Sequence, residues 1–180
     1  LAKHPSRAIG MASVLALRRM ASPSLIHFFF DDVSKIADEA IRAVHDLPIE
    51  KSRPAVAALL DEYAPEQRGR PLSRMLLRRI LHSAFRMGGE QNATRLLRFS
   101  SNTEMPLRAR MEALRLLADW VDPPPIDQSL GRYAPLPPRE KSSIKSSLNR
   151  ELPHLLSLKD EISEAAMNLA KQYDVEVEAP

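Results

Sequence analysis

The chain has no cysteine. Disulfides, thiolate nucleophiles, zinc–thiolate sites and covalent c-type haem attachment are therefore excluded from these 180 residues. Glycine is scarce, with five residues, too few for a protein built on hairpins or nucleotide loops. Aromatic residues make up 5%, which leaves little material for a base-stacking platform. The apolar run at residues 25–30 is short and interrupted by His27, and nothing approaches the roughly 20 apolar residues of a membrane span. No GxSxG, Walker-type GxxxxGK or GxGxxG string occurs, and no HxxxH or HExxH pair. No signal-peptide pattern is read at the start. The first residue is Leu1 rather than Met, so a segment of a longer or processed polypeptide is expected.

Fifteen prolines are present, most of them between stretches of helical pattern, as short connectors require. Apolar residues reach 44% and charged residues 27%, enough for one sizeable core. The net charge is only +3, but basic residues are unevenly placed. Residues 66–119 hold eleven arginines, no lysine and five acids. That asymmetry points to an anionic partner.

Residues 105–121, MPLRARMEALRLLADWV, show the organising pattern. Leu107, Met111, Leu114, Ala118 and Val121 recur at steps of four and three, which predicts one apolar helix face, widened by Ala113, Leu116, Leu117 and Trp120. Pro106 suits the helix start, and Pro123, Pro124 and Pro125 stop it. Similar stretches are predicted at residues 5–20, with Ile9, Ala12, Ala16 and Met20 inward, and at 33–47 and 71–87. Shorter partners are predicted at 23–30, 53–63 and 90–99. Residues 122–140 carry six prolines, which excludes helix and sheet interiors and predicts an extended surface connection pinned by Leu130, Tyr133 and Leu136. Two more helices are predicted at 141–157 and 160–173, the first split or kinked at Pro153, and residues 174–180 read as an extended tail.

The long helices align on a mostly small central residue at Ser13, Ala40, Leu76, Ala113 and Ala166. The spacing is near that of helical-pair repeats until the proline-rich connection lengthens it. Small residues let helices cross closely, and each pair must lean on the next to bury its apolar face. The expected fold is all-α: a right-handed α-solenoid of antiparallel helix pairs with one proline-rich insertion. Its expected parts are repeats over residues 1–121, the connection over 122–140, and a closing helix pair over 141–180.

Strings such as HPSRAIGMASVLALRRM and PLRARMEALRLLADWV resemble HEAT-type repeats. With DEAIRAVHDLPI, LLRRILHSAFRMGG and DWVDPPPIDQSLGRYAPLPPR, the chain resembles the helical-repeat segment of large membrane-bound dehydrogenases. Those proteins join a glucose-dehydrogenase-like propeller to HEAT repeats and a c-type haem module. The resemblance implies a non-catalytic scaffold or protein-interaction segment, outside the cytoplasm, whose partners are other domains of the same polypeptide or another protein. It places propeller and haem outside this chain, so no catalytic, cofactor or metal residue is expected here.

Candidate binding residues follow from the arginine-rich units. Arg74, Arg78 and His82 share one helix face, and Arg79 and Arg86 another. Arg95, Arg98, Arg108, Arg110 and Arg115 come from the following helices. An anion- or partner-binding set of Arg74, Arg78, Arg79, Arg110 and Arg115 is expected if stacking aligns them. The alternative function is a nucleic-acid-binding HEAT-like module using this face; the competing reading is a solvated face paired with Glu90, Glu104 and Glu112. Tyr133 is a candidate interface residue because it sits in an extended connection. The histidines, His45 and His82 among them, read as structural or surface residues, and paired acids such as Asp31-Asp32 as helix caps.

Overall fold

Serine, aspartate and proline set the helix starts. In a computed structural model, which describes residues 4–47, 49–65, 67 and 69–176, the Ser73 hydroxyl accepts from the Leu76 N–H at 3.2 Å. The Asp160 carboxylate accepts from the N–H groups of Ile162 and Ser163. Pro23 follows the N-cap Ser22. Each arrangement meets amide groups that have no partner inside the helix. The elements are α1 (Arg7–Arg19), α2 (Ser34–Asp46), α3 (Arg53–Ala58), α4 (Arg74–Met87), α5 (Gly89–Ser101), α6 (Leu107–Ala118), β1 (Ile126–Asp127), β2 (Arg132–Tyr133), α7 (Ser142–Ser157) and α8 (Glu161–Gln172). Tighter 3-10 turns occupy Pro23–Phe28, Glu50–Ser52 and Leu59–Tyr63. The chain is thus mostly helical, with one two-residue β-ladder. The expected helix stop at Pro48 and the tail residues 177–180 lie outside the described residues.

Packing follows chain order. Helices α2, α4, α6 and α8 form a series in which each touches the next, and α3, α5 and α7 form a second series. Cross-contacts join α3 to α4, α5 to α6 and α7 to α8. One continuous apolar core runs along the array, from Val14 to Val175. Among the described residues no helix is long and apolar enough to cross a membrane.

Two predicted faces are rotated. In α1 the buried residues are Gly10 and Val14, while Ile9 and Met20 are 40% and 74% exposed. This helix packs mainly against α2 and the turn after it, so a narrow strip suffices. In α6 the buried residues are Arg110, Ala113, Leu114, Leu116 and Leu117, and Leu107 at the predicted seam is exposed. That helix is clasped by α4, α5 and α8. Its buried arc therefore centres between neighbours rather than along one line of steps.

Helix α7 is one uninterrupted element through Pro153, contrary to the expected split. Pro153 is exposed, as is Asn149 four residues earlier. The carbonyl that proline leaves unbonded thus faces water, which can satisfy it.

The proline-rich connection is more ordered than a simple extended strap. Ile126 pairs with Tyr133 and Asp127 with Arg132, antiparallel. No proline falls on a paired residue. Leu136 packs against the core, whereas Tyr133 is 73% exposed.

Candidate functional site

A groove of about 600 Å³ lies between the N-terminal halves of α4 and α6. Its floor is apolar: Leu72, Leu77, Leu81, Met105 and Ala109 all line it. Leu77 and Leu81 reach it because they sit three and seven residues after Arg74, on one side of α4. Ser73 starts α4 and Pro106 immediately precedes α6. Both positive helix ends therefore lie near the groove's rim.

Four arginines line this groove: Arg70, Arg74, Arg78 and Arg108. Their situations differ. Arg78 donates to Glu112 Oε1 at 3.0 Å, and His82 Nε2 lies 2.8 Å from the same oxygen. The His82 hydrogen bond, opposed by burial and aided by Arg78, holds the Glu112 carboxyl down to about 2. Arg70 donates through Nη2 to Asp38 Oδ1 at 2.6 Å. Its Nη1 is buried and has no acceptor among the described residues. A buried donor left unbonded costs about 1–3 kcal/mol. Arg74 and Arg108 are exposed, and neither has an ion-pair or hydrogen-bond partner among the described residues. Besides Glu112, Glu104 is a carboxylate on the groove that offsets part of this charge.

The loop that carries Arg70 is fixed from below. The Tyr63 hydroxyl donates to the Arg70 carbonyl at 2.8 Å, and burial pushes its pKa up to about 12. The Tyr63 ring passes so close to Gly69 that a Cβ there would fall 2.3 Å from Cε1. Asn102, buried at the end of α5, donates to the carbonyls of Tyr63 and Ala64. A smaller recess of about 110 Å³ adjoins on the far side of Arg70, sharing Tyr63, Arg70 and Leu72 and edged by Phe30. Phe30 is 72% exposed, although Phe28 and Phe29 are buried.

The five predicted arginines are not brought together. Arg74 and Arg78 line the groove. Arg79 faces the other way and makes a two-point pair with Asp46, 2.8 and 3.2 Å. Arg115 lies in pairs with Glu112 and Asp119 on its own helix. Arg110 is 5% exposed; it donates to the Ser100 carbonyl at 2.8 Å and reaches Asp160 at 3.4 Å. It joins three helices from inside and offers no surface to an anion. Arg70 was missed because it lies in a loop, where helical spacing gives no guide. Nothing local in the sequence distinguishes the exposed Arg108 from the buried Arg110 two positions on.

A second polar cluster ties the proline-rich connection to α2 and α4. His45 Nδ1 is 2.9 Å from Ser83 Oγ, and Nε2 is 2.8 Å from Ser129 Oγ. The Ser129 hydroxyl donates to Asp127 Oδ1 at 2.6 Å. With that proton committed, the neutral ring donates from Nε2 to Ser129 and accepts at Nδ1 from Ser83. Burial, partly countered by Asp46 and Asp127, lowers the His45 pKa to about 4. Burial raises Asp127, but the hydroxyl and N–H of Ser129, with Arg86, outweigh it and leave the carboxyl below its usual value. A serine, a histidine and an aspartate in line resemble a hydrolytic set in composition only. Ser83 is 2% exposed, and the Ser129 proton points to Asp127 rather than to the imidazole, so neither hydroxyl is an activated nucleophile.

Arg139 completes this anchor. Its guanidinium lies 4.9 Å from the Phe85 ring centre and 4.5 Å from that of Trp120. It donates to the Phe85 carbonyl at 2.6 Å and the Trp120 carbonyl at 3.4 Å. Burial lowers its pKa to about 10. Gly88 turns at φ +65°, and a side chain there would meet Arg139 Nε at 3.0 Å. Tyr133, by contrast, projects into solvent beside Ile126, itself 45% exposed. Among the described residues no three His, Asp or Glu side chains converge as metal ligands.

Compared with known protein families, curated proteins and solved structures, the chain matches no family model, no curated protein and no solved structure.

Proposed function

We propose that this chain is a non-catalytic helical-repeat segment that holds another protein domain on the α4–α6 groove. In this reading its helix pairs stack as a right-handed solenoid of HEAT type. The observation that carries it is the groove: an apolar valley of about 600 Å³, edged by the exposed Arg74 and Arg108, which have no partner among the described residues. The size falls in the range of ligand-accepting clefts, and exposed apolar surface rimmed by polar groups marks interaction sites. The order of packing supports the repeat reading, since neighbouring helices along each series supply each other's apolar cover. The resemblance in the sequence extends the proposal: the partner is another domain of the same polypeptide, in a large extracytoplasmic dehydrogenase.

The test is site-specific photo-crosslinking in the full-length protein. A photoreactive residue is placed at Arg74 or Glu104, both on the groove, and at Glu161, exposed at the start of α8. Cross-links from the groove positions to one protein segment, with none from Glu161, are expected. Cross-links to nucleic acid from Arg74 would favour the nucleic-acid-binding alternative. Equal labelling from all three positions would overturn groove docking.

A further inference from the structure

The groove's charges are not those of a generic sticky surface. Three guanidinium groups are short of acceptors in different ways. Arg74 and Arg108 stand exposed with no partner among the described residues. Arg70 is held by Asp38 on one nitrogen while the other is buried and unbonded. Glu112, which also lines the groove, is already engaged by Arg78 and His82. Among the described residues, Glu104 is the remaining carboxylate on the groove that opposes these cations. Between the charges lies an apolar floor of Leu72, Leu77, Leu81 and Met105. Past Arg70 it continues into the recess edged by Phe30.

We propose that the α4–α6 groove binds an acidic peptide segment whose apolar side chains fill the floor while its carboxylates meet Arg74, Arg108 and the free nitrogen of Arg70. The assignment rests on the docking reading above and adds the chemistry of the partner. Arginine suits carboxylates because its planar fork can bond both oxygens. A buried donor without an acceptor is the mark of a missing one. A nucleic-acid strand fits less well. Phosphate tracking needs a row of free cations, and here Arg79, Arg95, Arg110 and Arg115 are already bound to acids. The apolar floor also offers nothing to a phosphate backbone.

The test is a random-peptide display library panned on the intact chain, with recovered peptides then synthesised and titrated. Expected binders carry Asp or Glu around Leu, Ile or Phe. Arg74→Glu with Arg108→Glu weakens them about tenfold or more, as for loss of a close charge pair. Glu104→Gln tightens them severalfold. Ala109→Trp, which fills the groove without removing a core side chain, abolishes binding. Unchanged thermal melting shows that each variant folds; the charge changes are at exposed positions. The proposal is overturned if no peptide is recovered, if binders are neutral or basic, or if acidic binders ignore the double variant. It is also overturned if dodecanoate or a single-stranded oligonucleotide binds where no acidic peptide does. A neutral segment cross-linked to Glu104 in the full-length protein would remove this assignment and leave docking intact. No protein cross-link would remove both.

Discussion

Arginine meets two fates along α4. At its C-terminal end Arg86 turns toward the proline-rich connection, where it donates to the Ala134 carbonyl and pairs with Asp127. There Arg139 lies over the rings of both Phe85 and Trp120. At its N-terminal end Arg74 projects over the groove with nothing bonded to it among the described residues. The same side chain is tertiary cement in one place and an unspent charge in the other. The difference lies in the acceptors supplied nearby. The connection brings backbone carbonyls and a carboxylate to the guanidinium groups, which offsets part of the cost of burying them. The groove brings a mostly apolar floor, and its carboxylate Glu112 is already taken by Arg78 and His82, so Arg74 and Arg108 stay in water.

The sharpest way to break this contrast is to truncate a cemented arginine. Arg139→Ala should cost about 3 kcal/mol, from two lost carbonyl bonds and two lost ring contacts. Urea unfolding measures it, and Arg139→Lys should recover less than half, because an ammonium lacks the planar fork. A loss below about 1 kcal/mol would mean the connection is held elsewhere. Arg110→Ala should cost about 2–3 kcal/mol by stranding the Ser100 carbonyl. It should leave peptide binding unchanged, since Arg110 faces inward; weakened binding would place it on the groove after all.

Two pH windows separate the regions next. His45, at the connection, is held at about 4 rather than 6.5 by burial. Between those values the unfolded chain carries a proton that the folded ring refuses. Stability from this site is therefore complete above pH 6.5 and falls as pH drops toward 4. Glu112, on the groove wall, is held at about 2 rather than 4.5. Its contribution is complete above pH 4.5 and is lost as pH falls toward 2. His45→Gln should flatten the first slope only and Glu112→Gln the second only, both read by thermal melting across pH. Smallest of all, Arg74→Gln or Arg108→Gln should change stability by no more than about 0.5 kcal/mol. A larger change would show that these cations are structural.

The helices were legible because apolar spacing is local. Ser73, Pro106 and Asp160 set helix starts through their own backbones or the next few residues, which a sequence displays directly. The face a helix buries was less legible. Leu107 and Met20 satisfy the period of their helices and still lie outside, because burial depends on how many neighbours clasp a helix. Arg110 and Arg108 differ by two positions and look alike in the sequence. Two residues rotate a helix by more than half a turn, so one meets α5 and α8 and the other meets solvent. The proline-rich connection was legible as non-helical. Its grip through Arg139, His45 and Asp127 was not, since every partner lies far along the chain or around a turn.

What the residues alone determined is a mostly helical chain with its main breaks, though not the one expected at Pro153, since periodicity and proline act within a few residues of themselves. Which arginines are consumed by the fold and which remain over an open groove was decided by the tertiary structure. The reason is that an ion pair or a desolvated donor depends on acceptors brought by distant segments, and no local pattern records how many of those arrive.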